Sequence, residues 1–149
     1  PMCYCKNMSV DAILHYYAGQ LEDAGVSFHH SIEVPQKMKI TDLDICRIFG
    51  NLLENAVRAV KADKETEEPY VNCICRVRMG KLLIDIENSY SGEVRRNGDV
   101  FYSTSHSGQG IGTASVSKTA EKYGGYADFE ASEGVFRANV FIPLENSGS

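Results

Sequence analysis

The feature that most constrains the fold is a pair of alternating segments between residues 71 and 88. Their apolar residues recur at every second position, at Val71, Cys73, Cys75, Val77 and Met79 in the first segment and at Leu82, Ile84 and Ile86 in the second. A period of two predicts strands, and Gly80-Lys81 predicts the hairpin turn that joins them. Because only one face of each strand is apolar, the sheet needs a covering layer on that face.

Two other segments carry the period of an amphipathic helix. The first is predicted to be capped by Ser9 and to end at Gly25, and the second to begin at Thr41 or Asp42 and run to about Lys64. Their core stripes are Val10, Ile13, Leu14, Tyr17, Leu21 and Ala24 in the first helix, and Ile45, Phe49, Leu52, Ala56 and Val60 in the second. Both helices therefore have an apolar side with which to cover the sheet.

The remaining elements complete one α/β domain over residues 1–149. They are a strand from Val26 to Val34, a third helix that follows the glycines near residue 110 and ends at Gly124-Gly125, and strands from Tyr126 to Ser132 and from Val135 to Leu144. Residues 89–107 show no sustained period and are predicted to be a lid loop. This order predicts a two-layer sandwich with a mixed, mostly antiparallel sheet and three helices on one face.

Composition excludes several functional classes. Hydrophobic residues make up 43% of the chain and charged residues 23%, which is the composition of a globular domain. No apolar run approaches the roughly 20 residues that cross a bilayer, so no direct membrane contact is expected. The formal net charge of −5 supplies no basic field for nucleic acid, so a phosphate ligand must be bound locally.

The cysteines are typical of a reduced, cytoplasmic segment. There are five of them, no signal peptide opens the chain, and the first residue is Pro rather than Met, so we expect a piece of a longer protein. The pairs Cys3/Cys5 and Cys73/Cys75 are spaced C-x-C, whereas structural zinc usually uses C-x-x-C. Cys73 and Cys75 are predicted to pack as small hydrophobes on one face of a strand.

The second helix carries a polar face beside its apolar stripe. Asn51, Asn55 and Arg58 occupy positions i, i+4 and i+7, so their side chains project from one side of the helix. An amide oxygen is a suitable ligand for Mg²⁺, and a guanidinium one turn away can meet a phosphate. The alternative is a solvated helix face without a ligand.

A glycine-rich run, Gly108-Gln109-Gly110-Ile111-Gly112, precedes the third predicted helix. Glycines let backbone N–H groups approach phosphate oxygens, and the positive end of the following helix favours an anion there. The run is neither a P-loop nor a dinucleotide fingerprint. It predicts a phosphate cradle, with an ordinary glycine turn as the alternative.

Taken together, the stretch from Gly50 to Ala59, the glycine run and Tyr123-Gly124-Gly125 closely resemble the N box and G2 box of the GHKL ATPase superfamily. The chain looks like the catalytic, ATP-binding domain of bacterial sensor histidine kinases, particularly the quorum-sensing-type class. Similarity to that class extends to the segments Lys6–Leu14, Ile86–Ser89 and Phe136–Pro143. The resemblance implies a Bergerat-type sandwich that binds ATP and Mg²⁺ under a lid.

The resemblance also implies roles for individual residues. Asn55 and Asn51 would bind Mg²⁺, and Arg58 would contact the phosphates. Asn88, in place of the family's Asp, would read the adenine amino group, and Gly92 is the last residue of the first glycine box. The remaining nucleotide-binding positions would be His106, Gly108, Gln109, Gly110, Ile111, Gly112 and Thr113.

None of the four histidines, His15, His29, His30 and His106, lies in a sequence context that resembles the phosphoacceptor of these kinases. The resemblance therefore implies an acceptor histidine on a separate, upstream dimerisation domain, and an isolated domain inactive in transfer. It further implies a response regulator as partner and a cytoplasmic location within a membrane-bound kinase. Two alternatives stay open: a GHKL-type ATP hydrolase, and a degenerate nucleotide-binding signalling module without catalysis.

Overall fold

The computed structural model describes residues 3–91, 94–97, 100–103 and 110–144. The helices are α1 (Met8–Asp23), α2 (Asp42–Ala62) and α3 (Gly110–Lys122). The strands are β1 (Ser27–Ile32), β2 (Tyr70–Arg78), β3 (Lys81–Ser89), β4 (Val94–Asn97), β5 (Val100–Ser103), β6 (Tyr126–Ser132) and β7 (Val135–Pro143). Apart from β4 and β5, this is the order of elements that the hydrophobic periods predict.

Five strands form one open sheet in the order β1-β2-β3-β7-β6. The β1–β2 pair is parallel, with α2 in the connection between them, and the other three pairs are antiparallel. A parallel pair requires such a long crossover, whereas the antiparallel pairs β2–β3 and β6–β7 close through tight turns. The predicted mixed, mostly antiparallel sheet is confirmed.

The helices cover one face of this sheet, and the core lies between the two layers. Every second residue of the central strands is buried there: Val71, Cys73, Cys75, Leu82, Ile84, Ile86, Ala138, Val140 and Ile142. The predicted core stripe of α2 is buried along its whole length. Within the described ranges, none of the helices combines the length and the apolar composition needed to cross a bilayer.

The start of α1 differs from the prediction. Asn7, rather than Ser9, caps the helix, and its Oδ1 accepts a hydrogen bond from the N–H of Val10 at 3.1 Å. Asn7 is buried, and its Nδ2 also donates to the carbonyl of Pro35 at 3.3 Å. Because one side chain both caps the helix and satisfies a distant carbonyl, Asn7 is favoured over a serine that lies inside the first turn.

The segment predicted to be a lid loop, residues 89–107, contains regular structure. β3 extends to Ser89, and β4 and β5 pair as a separate two-stranded antiparallel sheet. A prediction of loop throughout is therefore wrong for these strands, because a period of two does not stand out over only four residues. The start of α3 also differs, since Gly110 and Gly112 form its first turn instead of preceding it.

Candidate functional site

The polar face of α2 meets the beginning of α3 at one close contact. A Cβ added to Gly112 would stand 3.3 Å from both Oδ1 and Nδ2 of Asn55. That distance is tighter than most side chains tolerate, so the approach depends on a glycine at this position. The two predicted motifs, far apart in the sequence, are thus brought together by the packing of α3 on α2.

This contact joins two kinds of polar group. Asn55 is half-buried, and its amide supplies an oxygen acceptor. The first backbone N–H groups of α3 have no partner within the helix, and they carry the positive end of the helix dipole. The contact therefore places an acceptor for a cation beside the helix end that favours an anion. These residues fit a magnesium ion with its phosphates.

Arg58 is engaged away from this contact. Its Nε donates to Oε1 of Glu54 at 2.9 Å, and Oε2 of Glu54 accepts the hydroxyl of Tyr17 on α1 at 3.0 Å. Burial, together with the Glu54 carboxylate, raises the pKa of Tyr17 to about 12. The predicted stripe is therefore divided, because Asn55 faces α3 while Arg58 is held on the side of α1. Asn51 lies one turn before Asn55 and is half-buried.

Asn88 lies near the end of β3, on the helix-covered face of the sheet. It is 6% exposed, and it continues the buried row of Ile84 and Ile86. Its Nδ2 donates to the carbonyl of Ser89 at 3.0 Å. The same amide carries a carbonyl oxygen, which is the kind of acceptor that an exocyclic amine requires.

Four of the predicted site residues, Gly92, His106, Gly108 and Gln109, lie outside the described residues, as do parts of the predicted lid. Gly110 and Ile111 begin the first turn of α3. Thr113 follows in that turn and is almost completely buried. The structure thus brings Asn55 together with the start of α3 and leaves the other assignments as predictions.

Sequence reasoning missed a buried carboxylate that links α2 to α3. Asp44 is 2% exposed, and its Oδ2 accepts from Nζ of Lys122 at 2.9 Å and from the hydroxyl of Tyr123. These two hydrogen bonds hold the pKa of Asp44 below its usual range. In the sequence, an acidic residue in the first turn of a helix is adequately explained by the helix dipole. Nothing in the local pattern therefore indicates its distant partners.

A second missed carboxylate ends α2. Asp63 accepts hydrogen bonds from Oγ of Ser91 at 2.5 Å, from the hydroxyl of Thr66, and from the backbone N–H groups of Glu65 and Thr66. Burial raises the pKa of Asp63, but these hydrogen bonds outweigh it and lower the pKa to about 2. Asp63 thereby ties the end of α2 to the chain that follows β3.

Two of the five thiols belong to the core of the domain. Cys73 and Cys75 are buried, and burial raises the pKa of both. Their predicted packing as small hydrophobes is confirmed. All five cysteines are free, and the part of the chain that the structure describes holds no group of three metal-ligating side chains.

Residues 38–143 match the GHKL domain family. The match spans most of the chain, and the protein belongs to this family, as its N box and G2 box predict. No curated protein matches the sequence. The narrower quorum-sensing-type class stays a prediction.

Solved structures of histidine kinases share the fold. The nucleotide-free catalytic domain of histidine kinase ThkA is 17% identical, with a TM-score of 0.69 over 93% of each chain. Histidine kinase AdeS of Acinetobacter baumannii is 14% identical, with a TM-score of 0.67 over 97% of this chain and 68% of that one. The histidine kinase domain of blue-light activated EL346 from Erythrobacter litoralis is 16% identical, with a TM-score of 0.62 over 91% and 61%. The architecture is the α/β sandwich of histidine kinase catalytic domains.

Proposed function

We propose that this domain binds Mg²⁺-ATP and donates its γ-phosphoryl group to a histidine on a separate domain of the same kinase. The observation that carries the proposal is the contact between Asn55 and Gly112 at the start of α3. Membership of the GHKL family and the shared fold of histidine kinase catalytic domains support it. The proposed setting is a two-component system, with a response regulator downstream and the domain on the cytoplasmic side of a membrane-bound kinase.

Each residue has a simple task in this proposal. Oδ1 of Asn55 would bind Mg²⁺, with help from Asn51, and the N–H groups of the first turn of α3 would donate to the phosphates. The carbonyl of Asn88 would accept from the adenine amino group. Bound Mg²⁺ would neutralise charge that develops on the transferred group. The chain itself acts by positioning and by electrostatic stabilisation.

Transfer to a partner is favoured over hydrolysis by the residues around Asn55. Asn51, one turn before it, is an amide and cannot accept a proton from water at neutral pH. Glu54 is the neighbouring carboxylate, and it is held on the side of α1 by Arg58 and Tyr17. Neither Asn51 nor Glu54 therefore supplies a general base beside Asn55. The domain is therefore suited to presenting a nucleotide rather than to activating water.

The test is calorimetric titration with a non-hydrolysable ATP analogue, with and without Mg²⁺. We expect binding to depend on Mg²⁺ and Asn55→Ala to weaken it at least tenfold, because the mutant lacks the amide oxygen. Asn139→Ala, a matched change on β7 at the open face of the sheet, should bind like the wild type. Equal affinity of Asn55→Ala and the wild type, with both folded, would refute the assignment.

A second measurement distinguishes the kinase from the alternatives. Radiolabelled ATP is added to the domain alone and to the domain supplied with its histidine-bearing dimerisation domain. Label on the histidine only in the second mixture supports the kinase. Binding without transfer indicates a nucleotide-binding signalling module, and rapid phosphate release by the domain alone indicates a hydrolase.

A further inference from the structure

The beginning of α2 is joined to the end of α3 by a network of hydrogen bonds around Asp44. Its Oδ2 accepts from Nζ of Lys122 at 2.9 Å and from the Tyr123 hydroxyl, and its Oδ1 accepts from Nη1 of Arg47 at 3.3 Å. The Tyr123 oxygen also accepts the backbone N–H of Thr41 at 3.2 Å. We call Asp44, Lys122 and Tyr123 the Asp44 anchor. The anchor thus links side chains at the end of α3 to Asp44 and to the backbone of Thr41, the N-cap of α2.

The Asp44 anchor and the Asn55–Gly112 contact lie at opposite ends of the same antiparallel helix pair. Asp44 and Asn55 are eleven positions apart on α2, and Gly112 is eleven positions from Tyr123, which directly follows α3. At about 1.5 Å of rise per residue, each span is about 16 Å. Because the two spans are equal, fixing the register at one end also fixes which residues meet at the other.

The apolar contact between the helices contributes little to this register. The buried side of α3 carries Val116 and Ala120, both fully buried, with the buried Thr113 and Thr119 beside them. Small side chains form a low ridge, which allows close approach of the helices but interlocks weakly along their axes. Directional hydrogen bonds to a buried carboxylate therefore supply the axial restraint that this packing lacks.

We propose that the Asp44 anchor is a positioning device that sets the register of α3 on α2 and so holds Gly112 against Asn55. The consequence for nucleotide binding rests on the function proposed above, whereas the geometric coupling does not. A screw displacement of α3 by one residue would place Thr113 where Gly112 stands. Its side chain would then enter the space that the glycine leaves beside Asn55.

The geometric part is tested without nucleotide, by nuclear magnetic resonance of Tyr123→Phe and Asp44→Asn. We expect both variants to shift the side-chain amide resonances of Asn55 and the backbone amide resonance of Gly112. Asn7→Ala, which removes the cap of α1 and leaves the hydrogen bonds of Asp44 in place, serves as the control. Unshifted resonances in a folded Tyr123→Phe variant would overturn the proposal even if Asp44→Asn fails to fold.

The functional part is tested by titrating the same variants with the Mg²⁺-ATP analogue. We expect a three- to tenfold loss of affinity in the two anchor variants and none in Asn7→Ala. Shifted resonances with unchanged affinity would overturn the positioning role. If the wild type itself does not bind the analogue, the proposed function fails, while the resonance test still decides whether the anchor sets the register.

Discussion

At the scale of single residues, the site depends on the absence of a Cβ atom at Gly112. Gly112 lies in the first turn of α3, where alanine is normally the better helix former. Its value lies in the approach of Asn55, whose amide occupies the direction in which a Cβ would point. Helix propensity therefore favours alanine at position 112, whereas the close approach of Asn55 favours glycine. The glycine found there is the residue that the contact with Asn55 favours.

Gly112→Ala tests this reasoning. The added methyl would meet both polar atoms of Asn55 at 3.3 Å, so the amide must move by a few tenths of an ångström. We expect the affinity for Mg²⁺-ATP to fall about tenfold, with little change in the free energy of unfolding because helix propensity offsets the crowding. Calorimetry and urea denaturation measure the two quantities.

Gly19→Ala is the matched control for that variant. Gly19 lies inside α1, where an added Cβ would meet nothing within 4 Å. It should raise the free energy of unfolding by up to about 1 kcal/mol and leave nucleotide affinity unchanged. Unaltered affinity in Gly112→Ala would show that the contact with Asn55 does not matter for binding.

At the scale of elements, α2 separates two polar environments. Toward α3 it presents Asn55, and toward α1 it presents Glu54, which accepts from Arg58 and from Tyr17. Consecutive residues on a helix differ by about 100° in direction, so neighbours in sequence face different partners. The Glu54 carboxylate thereby joins α1 to α2, and the Asn55 amide lies beside Gly112 at the candidate site.

Glu54→Gln should therefore leave ATP consumption by the isolated domain unchanged and very slow. The carboxylate already accepts two hydrogen bonds on the α1 side, at 2.9 and 3.0 Å, and does not face Gly112. A continuous phosphate-release assay on both proteins measures this. Steady release by the wild type on the order of 1 s⁻¹, a typical enzyme turnover, that disappears in Glu54→Gln would favour the hydrolase.

At the scale of the whole molecule, the hydrogen-bonded carboxylate of Asp63 contributes to stability in a pH-dependent way. Asp63 has its pKa lowered to about 2 in the folded protein, whereas an unfolded Asp titrates near 3.9. The folded state therefore binds a proton at Asp63 less tightly than the unfolded state does. The stabilisation is complete above about pH 4 and is lost as the pH falls through about 2.

Asp63→Asn should lower the free energy of unfolding at pH 7 by about 1 kcal/mol, a value reduced for solvent screening. The difference from the wild type should shrink as the pH falls from 4 toward 2. Urea denaturation at several pH values measures it, with Asp128→Asn, an exposed change on β6, as the control. An identical pH dependence for Asp63→Asn and the wild type would contradict the role of the hydrogen bonds.

The local pattern of the sequence determined the elements and the class of fold. The alternation from Val71 to Ile86 established a sheet covered on one side, and the stripe from Ile45 to Val60 predicted the helix that covers it. These predictions succeed because a period of two or of 3.6 directly reports which side chains share a face. The motifs around Asn55 and Gly112 also indicated the GHKL family from sequence alone.

Only the tertiary structure decided which distant groups meet. The anchoring of Asp44 by Tyr123, the hydrogen bond from Tyr17 to Glu54 and the hydrogen bond from Asn7 to the carbonyl of Pro35 are not visible in any local period. A polar side chain can satisfy its hydrogen bonds in many ways, and the choice depends on how helices and strands are aligned along their axes. Periodicity specifies faces but not axial alignment, and the alignment is set by the packing of the whole chain.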